Sequence, residues 1–561
     1  MPERTPPVRD YADALRDFRL SEAEALLSGS LREGLNACVE CCDRHAEGGR
    51  VALHWESESG AREEVSFTEL KERTAQFAGF LTGIGIKPGE VVAGMLPRTP
   101  ELLTVILGTW RAGAVYQPLF TAFGPKAIEH RVKMSGARLV VTDPANRPKL
   151  DAIEDRSFRI MIARGENAGA GDFDMRTELV RQPKSFAPVL RRGDDLFLMM
   201  STSGSTGLAK GVPVPLRALP AFGIYMRDAI GLKPTDRFWN FADPGWAYGL
   251  YYAVTGPLLL GCATTFYDGP FSVESTYRII RTHGITNLAG APTAYRLLIA
   301  AGPQAAAPVK GQLRVVSSAG EPLNPEVVRW FAEHLQAPIH DHYGQTEIGM
   351  VACNHHGLKH AMRPGAAGLP TPGYRLAVLN EAGEELGPGE PGVLSVDIAH
   401  SPLYWFTGYH QQQTPAIGGG YYRTGDVMAM EVGGTVAFVG RADDVITSAG
   451  YRIGPFDVES ALIEHPAVIE AAVIGKPDPQ RTEIVKAFVV LAAGAQPSPM
   501  LAEELRNHVR ARLSAHAYPR EIEFVESLPK TPSGKVQRFI LRNREIEKAR
   551  AASENGRTMA N

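Results

Sequence analysis

The feature that most constrains this chain is a repeated alternation of amphipathic helix and short apolar strand between residues 66 and 142. Ser66 and Glu69 stand at capping-box spacing ahead of LKERTAQFAGFL, where Leu70, Phe77 and Leu81 recur at helical intervals. A turn, IKPGE, leads into the strand VVAGML. ELLTVILGTW reads as the next helix, AVYQP as the next strand, and PKAIEHRVKMSG followed by ARLVVTD repeats the cycle. Strands that are apolar throughout, with helices between them, fit a mainly parallel sheet covered on both faces. The cycle returns at LRVVSSAG, after which Asn324 is placed as a helix cap and Pro325 as the first helical residue. The expected class is α/β: a large N-terminal domain of layered, mainly parallel sheets flanked by helices.

At 561 residues the chain exceeds what one core organises, so a second domain is expected. The pattern changes after about Gly440. FDVESALIEH and MLAEELRNHVRARL read as helices, and AVIEAAVIG and EIVKAFVVL as strands, enough for a small α+β domain. The division expected is 1–442, 443–545 and a frayed polar tail, 546–561. A formal net charge of −3 gives no reason to expect nucleic acid or an anionic membrane as partner. Five cysteines are too few for a disulfide framework, and no apolar run reaches the ~18 residues of a membrane span. With neither a secretory signal at the start nor a lipidation or peroxisomal signal at the end, the expected location is the cytoplasm.

The run STSGSTGLAKG, residues 201–211, is rich in backbone and hydroxyl donors and carries one cation, Lys210, as phosphate loops do. It follows an apolar strand, DLFLMM, but is not a P-loop. Lys210 lies between Ala209 and Gly211 rather than ahead of Ser or Thr, and Pro213 and Pro215 oppose an immediate helix. A glycine-rich flap and a plain surface linker remain the two readings of this run taken alone.

The flap pattern resembles the signature of the AMP-forming acyl-CoA synthetases of the adenylate-forming superfamily. The resemblance continues in order through SSAGEP, DHYGQTE, YYRTGD, GRADDVITSAGYRIGPFDVES and KTPSGKVQR, over roughly residues 30 to 545. It implies a ligase that turns a carboxylic acid and ATP into acyl-AMP and pyrophosphate, then passes the acyl group to coenzyme A. By this resemblance Thr202, Ser203, Gly204, Ser205, Thr206 and Gly207, with Lys210, would close over the ATP phosphates. Gly320, Glu321 and Pro322 would line the adenine pocket with Asp341 and Tyr343. Thr346 would contact phosphate and Glu347 would help hold Mg²⁺, a hard cation suited to oxygen donors. Asp426 would accept from both ribose hydroxyls, and Arg441 and Arg452 would face phosphates. Lys535 would enter the site for adenylation, and the loop at Gly450 would serve the thiol step after the small domain turns about Asp443. Loading of a carrier protein instead of free CoA is the alternative, although no carrier segment is appended.

In acetate-specific members a tryptophan closes the acyl pocket where this chain has Gly344. With Ala247 and Ala319 also small, that suggests a short-to-medium, branched or aromatic monocarboxylate larger than acetate. Tyr248 would refill part of the space and Trp246 would form an aromatic side. Cys38, Cys42 and His45 share a helical face without a fourth metal ligand nearby, and NHHGLKH, residues 354–360, reads as a solvated loop.

Overall fold

The computed structural model describes residues 8–154, 156–165, 171–202, 209–441, 444–448, 451–478, 481–513, 517–531 and 535–558. The predicted alternation is present. Ser66 and Glu69 form both halves of the capping box at the start of the helix Phe67–Gly83, which packs on the helix Pro100–Arg111. The strands Val91–Met95, Val115–Pro118 and Leu139–Thr142 are buried at every position and pair in parallel. They form the centre of a seven-stranded sheet. At one edge of it the strand Leu196–Ser201 turns back as Gly211–Pro215, antiparallel, with Gly211 opposite Ser201. That hairpin rules out the strand-to-helix geometry of a P-loop. Pro213 and Pro215 sit in its outer strand, where a missing donor costs no ladder bond.

A second sheet has nine strands. Its parallel centre includes Asn287–Gly290, Val315–Ala319 and Ile339–Gln345, and the last of these turns back antiparallel into Gly349–Cys353. A third, antiparallel sheet contains Tyr421–Met430 paired with Val436–Arg441, which sets Asp426 opposite Arg441. Beyond it, Val468–Asp478 and Thr482–Leu491 pair antiparallel under the helices Pro455–Ile463 and Pro499–Arg512. Two hydrophobic clusters lie wholly within residues 446–541. Both large and small parts are mixed α/β, and no helix among the described residues is long and apolar enough to cross a membrane.

Three local expectations change. Asn324 occupies the cap position of the helix Pro325–Trp330 but makes no side-chain cap bond; its amide donates instead to Ser460 Oγ at 2.8 Å. Residues 354–360 are not a solvated loop. His355 is buried and stacked on Tyr11, and His356 stacks face to face on His340 at 3.8 Å and bonds the Val316 carbonyl. The segment packs there because its imidazoles find ring and carbonyl partners on the second sheet. The final helix, Arg538–Thr558, continues through the stretch expected to be a frayed tail.

Candidate active site

Between the third sheet, the end of the second sheet and the small α+β unit lies a cavity of about 570 Å³. Its walls gather Thr202, Lys210, Gly320, Glu321, Pro322, Asp341, Tyr343, Gly344, Thr346, Glu347, Asp426, Arg441 and Lys535. These residues span more than 330 positions of sequence, and only the fold brings them together. Ser203, Gly204, Ser205, Thr206, Gly207, Asp443 and Gly450 lie outside the described residues, as does the side chain of Arg452, whose backbone belongs to the strand Tyr451–Ile453.

The strand Ile339–Gln345 supplies one wall. Asp341 is buried, and its Oδ2 accepts from the Leu323 N–H at 3.0 Å while Oδ1 has no protein partner. An orphaned buried acceptor is costly unless a ligand donor meets it. Two residues on, Tyr343 donates its hydroxyl to Asp426 Oδ2 at 2.6 Å, and Gln345 Nε2 donates to the same oxygen at 2.9 Å. Both lone pairs of Oδ2 are thereby used. The expectation that Asp426 serves two ribose hydroxyls narrows to Oδ1, which faces Arg441 at 3.7 Å. Glu347, also buried, accepts from Tyr409 Oη at 2.8 Å. Burial pushes the carboxyls of Asp341, Glu347 and Asp426 above the usual carboxylate range; for Glu347 the cations Lys210 and Lys535 pull the other way. These groups are therefore poised to gain from cationic or donor ligands.

The opposite wall belongs to the small unit. Lys535 is exposed to the cavity, and its Cε lies 3.9 Å from where a side chain would begin at Gly320. Gly320 has φ +99°, so its backbone turn and the absence of a side chain both leave that approach open. Three residues after Lys535, Arg538 makes a fork to Glu459 at 2.9 and 2.7 Å, tying the lysine loop to the helix Pro455–Ile463.

Residues 42–409 match the profile described as AMP-binding enzyme, and residues 457–535 match the AMP-binding enzyme C-terminal domain. The chain belongs to the AMP-binding enzyme family. It is 38% identical over 549 residues to the acetyl-coenzyme A synthetase of Bacillus subtilis, covering 96% of each chain. A crystal structure of a Brucella canis acyl-CoA synthetase shares 62% identity at a TM-score of 0.79, covering 96% of this chain and 100% of that one. The anthranilate CoA ligase AuaEII, solved with anthranoyl-AMP, aligns at 26% identity and a TM-score of 0.84, covering 91% and 97%. This AMP-binding enzyme is accordingly an acid–thiol ligase of the acyl-CoA synthetase type, acting with ATP and coenzyme A. These relatives are CoA ligases, which does not favour the carrier-loading alternative.

The acyl-pocket expectations fare unevenly in this AMP-binding enzyme. Of Trp246, Ala247, Tyr248, Ala319 and Gly344, only Gly344 lines the 570 Å³ cavity. Its glycine does not open a void, either. A Cβ there would lie 2.1 Å from the Gly349 carbonyl oxygen, because the strand ladder bulges at Tyr343/Gly344 and brings the returning strand against it. Trp246 packs on Phe120 and Phe123 with ring centroids at 5.4 Å in each case. Trp246 Nε1 and Tyr248 Oη are buried without protein partners. Tyr251 and Tyr252 are structural, bonding the Thr346 carbonyl and the Met350 N–H. The Cys38 and Cys42 thiols lie against the Thr74 hydroxyl and the Phe67 carbonyl, and His45 against the Leu259 carbonyl.

Sequence reasoning missed Gln345, Tyr409 and Arg538. Gln345 and Arg538 lie inside quoted motifs, YGQTE and SGKVQR, so a signal existed. Tyr409, in the ordinary-looking run FTGYH, carried none.

Proposed function

We propose that this enzyme activates a short-to-medium, branched or aromatic monocarboxylate larger than acetate as its acyl-AMP, then transfers the acyl group to coenzyme A. The observation that carries this reading is one cavity holding an orphaned acceptor at Asp341, paired donors on Asp426, a buried carboxylate at Glu347 and a lysine from the small unit. Asp341 Oδ1 suits an exocyclic amine of adenine, Tyr343 presents a ring for the purine, and Asp426 Oδ1 accepts from the sugar. The substrate carboxylate is the nucleophile toward the α-phosphate. Lys535 aligns the two anions, while Lys210 meets the charge of the departing pyrophosphate.

The donor set at Thr346 and Glu347, a hydroxyl beside a carboxylate with one oxygen fixed by Tyr409, fits Mg²⁺. Bound there, Mg²⁺ would neutralise polyphosphate charge. For the second step the small unit would turn at Asp443, withdrawing Lys535 and presenting the loop of Gly450 to the pantetheine. The thiol, with a free pKa of about 8.5, is partly ionised without a dedicated base.

The size reading is carried by the small residues Ala247 and Ala319, which lie outside the 570 Å³ cavity, and not by Gly344. The anthranilate ligase among the relatives supports an aromatic acid. The decisive experiment is carboxylate-dependent ATP–pyrophosphate exchange across an acid panel, followed by CoA-dependent AMP release. Exchange and thioester formation fastest with acids larger than acetate are expected. No exchange with any acid would overturn adenylation, and exchange without thioester would return the carrier-loading alternative.

A further inference from the structure

Among the described residues, Tyr409 is a side chain that touches both charged groups on the phosphate side of the cavity, Glu347 and Lys210. Its hydroxyl donates to Glu347 Oε1 at 2.8 Å. Its ring lies beneath Lys210, with Nζ 4.7 Å from the centroid, a cation–π contact. The backbone repeats the link. The His410 N–H donates to the Gly211 carbonyl at 2.9 Å, so the segment carrying Tyr409 is stitched to the strand that returns from the flap. Tyr409 itself is held from behind: Phe406 packs edge-on at 5.3 Å, and the Thr414 hydroxyl accepts the Tyr409 N–H at 2.8 Å.

We propose that Tyr409 is a positioning residue that couples the flap lysine to the Glu347 carboxylate, so that the triphosphate end of ATP engages both groups together. The inference rests on the reading of Lys210 and Glu347 as the polyphosphate-side pair. Physically, a lysine side chain has several rotatable bonds, and an unrestrained one must be ordered when phosphate arrives. The aromatic face keeps Nζ at the cavity wall beforehand, and phosphate oxygens then replace a weaker π partner with a stronger charged one. The hydroxyl does a separate job. It fixes one oxygen of Glu347 and leaves the other to turn toward the phosphates or their cation.

Two variants separate these jobs. Tyr409→Phe keeps the ring and loses the hydroxyl; Tyr409→Leu loses both. Exchange kinetics are measured with the acid that gives the fastest wild-type rate. Affinities for ATP and for AMP are measured by calorimetry in EDTA, where no metal and no acid take part. Tyr409→Phe should bind both nucleotides within twofold of wild type while its exchange kcat falls about tenfold, as expected when an aligned carboxylate loses its orienting bond. Tyr409→Leu should lose that kcat and also bind ATP about fivefold more weakly, with AMP affinity unchanged because AMP lacks the phosphates that reach Lys210. Thioester formation from supplied acyl-AMP should be spared in both.

A Tyr409→Phe exchange rate equal to wild type would overturn the proposal. So would an AMP affinity, or a thioester rate, that falls as far as the ATP terms, since that pattern belongs to general loosening of the site. Failure of the underlying reading looks different, because the wild type itself would then give no exchange with any acid.

Discussion

The two walls of the cavity are built in opposite ways. The large-domain wall is a set of buried acceptors on two strands and a turn, with Asp341, Asp426 and Glu347 each at most 7% exposed and each fixed by backbone or side-chain donors. The small-domain wall is a cation on a loop. Lys535 is exposed, and its loop is anchored within its own unit by the Arg538–Glu459 fork. Among the described residues, the Asn324–Ser460 hydrogen bond and the 3.8 Å Arg329–Glu464 pair join the units. Rigid acceptors can hold a nucleotide through two steps, whereas a cation on a lightly tethered unit can serve one step and leave for the other.

The sharpest way to break this contrast is Lys535→Ala. It should lower ATP–pyrophosphate exchange by about 10²–10³-fold, the cost of removing one preorganised charge from a transition state, and spare thioester formation from supplied acyl-AMP. Equal loss in both half-reactions would sink the idea that the two walls serve different steps. Asp426→Ala, on the fixed wall, should instead depress both half-reactions, by about 10-fold or more, since it releases Tyr343 and Gln345 and removes the acceptor proposed for the sugar. A loss confined to adenylation would show that wall to be step-specific after all.

Acid should loosen the fixed wall. His340 belongs to the strand that carries Asp341 and Tyr343, and His355 follows the strand paired with it; burial lowers them to about 4 and about 3. Their unfolded pKa is near 6.5, so the unfolded chain binds more protons below that pH. The stability they permit is complete above about pH 6.5 and declines as pH falls toward 4. Urea midpoints should drop over that window, and His355→Phe, which keeps the stack on Tyr11, should flatten part of the decline. Identical slopes in both proteins would remove His355 from this account. The smallest effect is expected from Asn324→Ala. Losing one cross-domain hydrogen bond, worth about 1 kcal/mol, should slow adenylation a few-fold and leave the thioester step unchanged or slightly faster. Slowing of both steps alike would mean that Asn324 supports the helix rather than the joint.

Much of the fold was legible because it is written locally. The capping box at Ser66–Glu69 and the uniformly apolar strands each act over a few residues and predict their elements, and the prolines after Lys210 exclude a helix where a strand is found. The motif residues of the candidate site were legible through order and spacing. What they touch was not: Asn324 has the right chemistry for a helix cap, yet Ser460, 136 residues away, offers its amide a better partner. Gly344 looked like a removed wall because sequence counts side chains, whereas the bulge that presses Gly349 against it is a property of strand pairing.

By itself, then, the sequence determined the alternating architecture, the exclusion of a P-loop at residues 201–211 and the set of charged residues available for adenylation. Each follows from local propensity or from fixed residue chemistry. Only the tertiary structure decided which oxygen of Asp426 is left by Tyr343 and Gln345, that Tyr409 bridges Lys210 and Glu347, and that His355 is buried. Those outcomes depend on which distant groups reach hydrogen-bonding or stacking range of one another, and a linear pattern does not encode that distance.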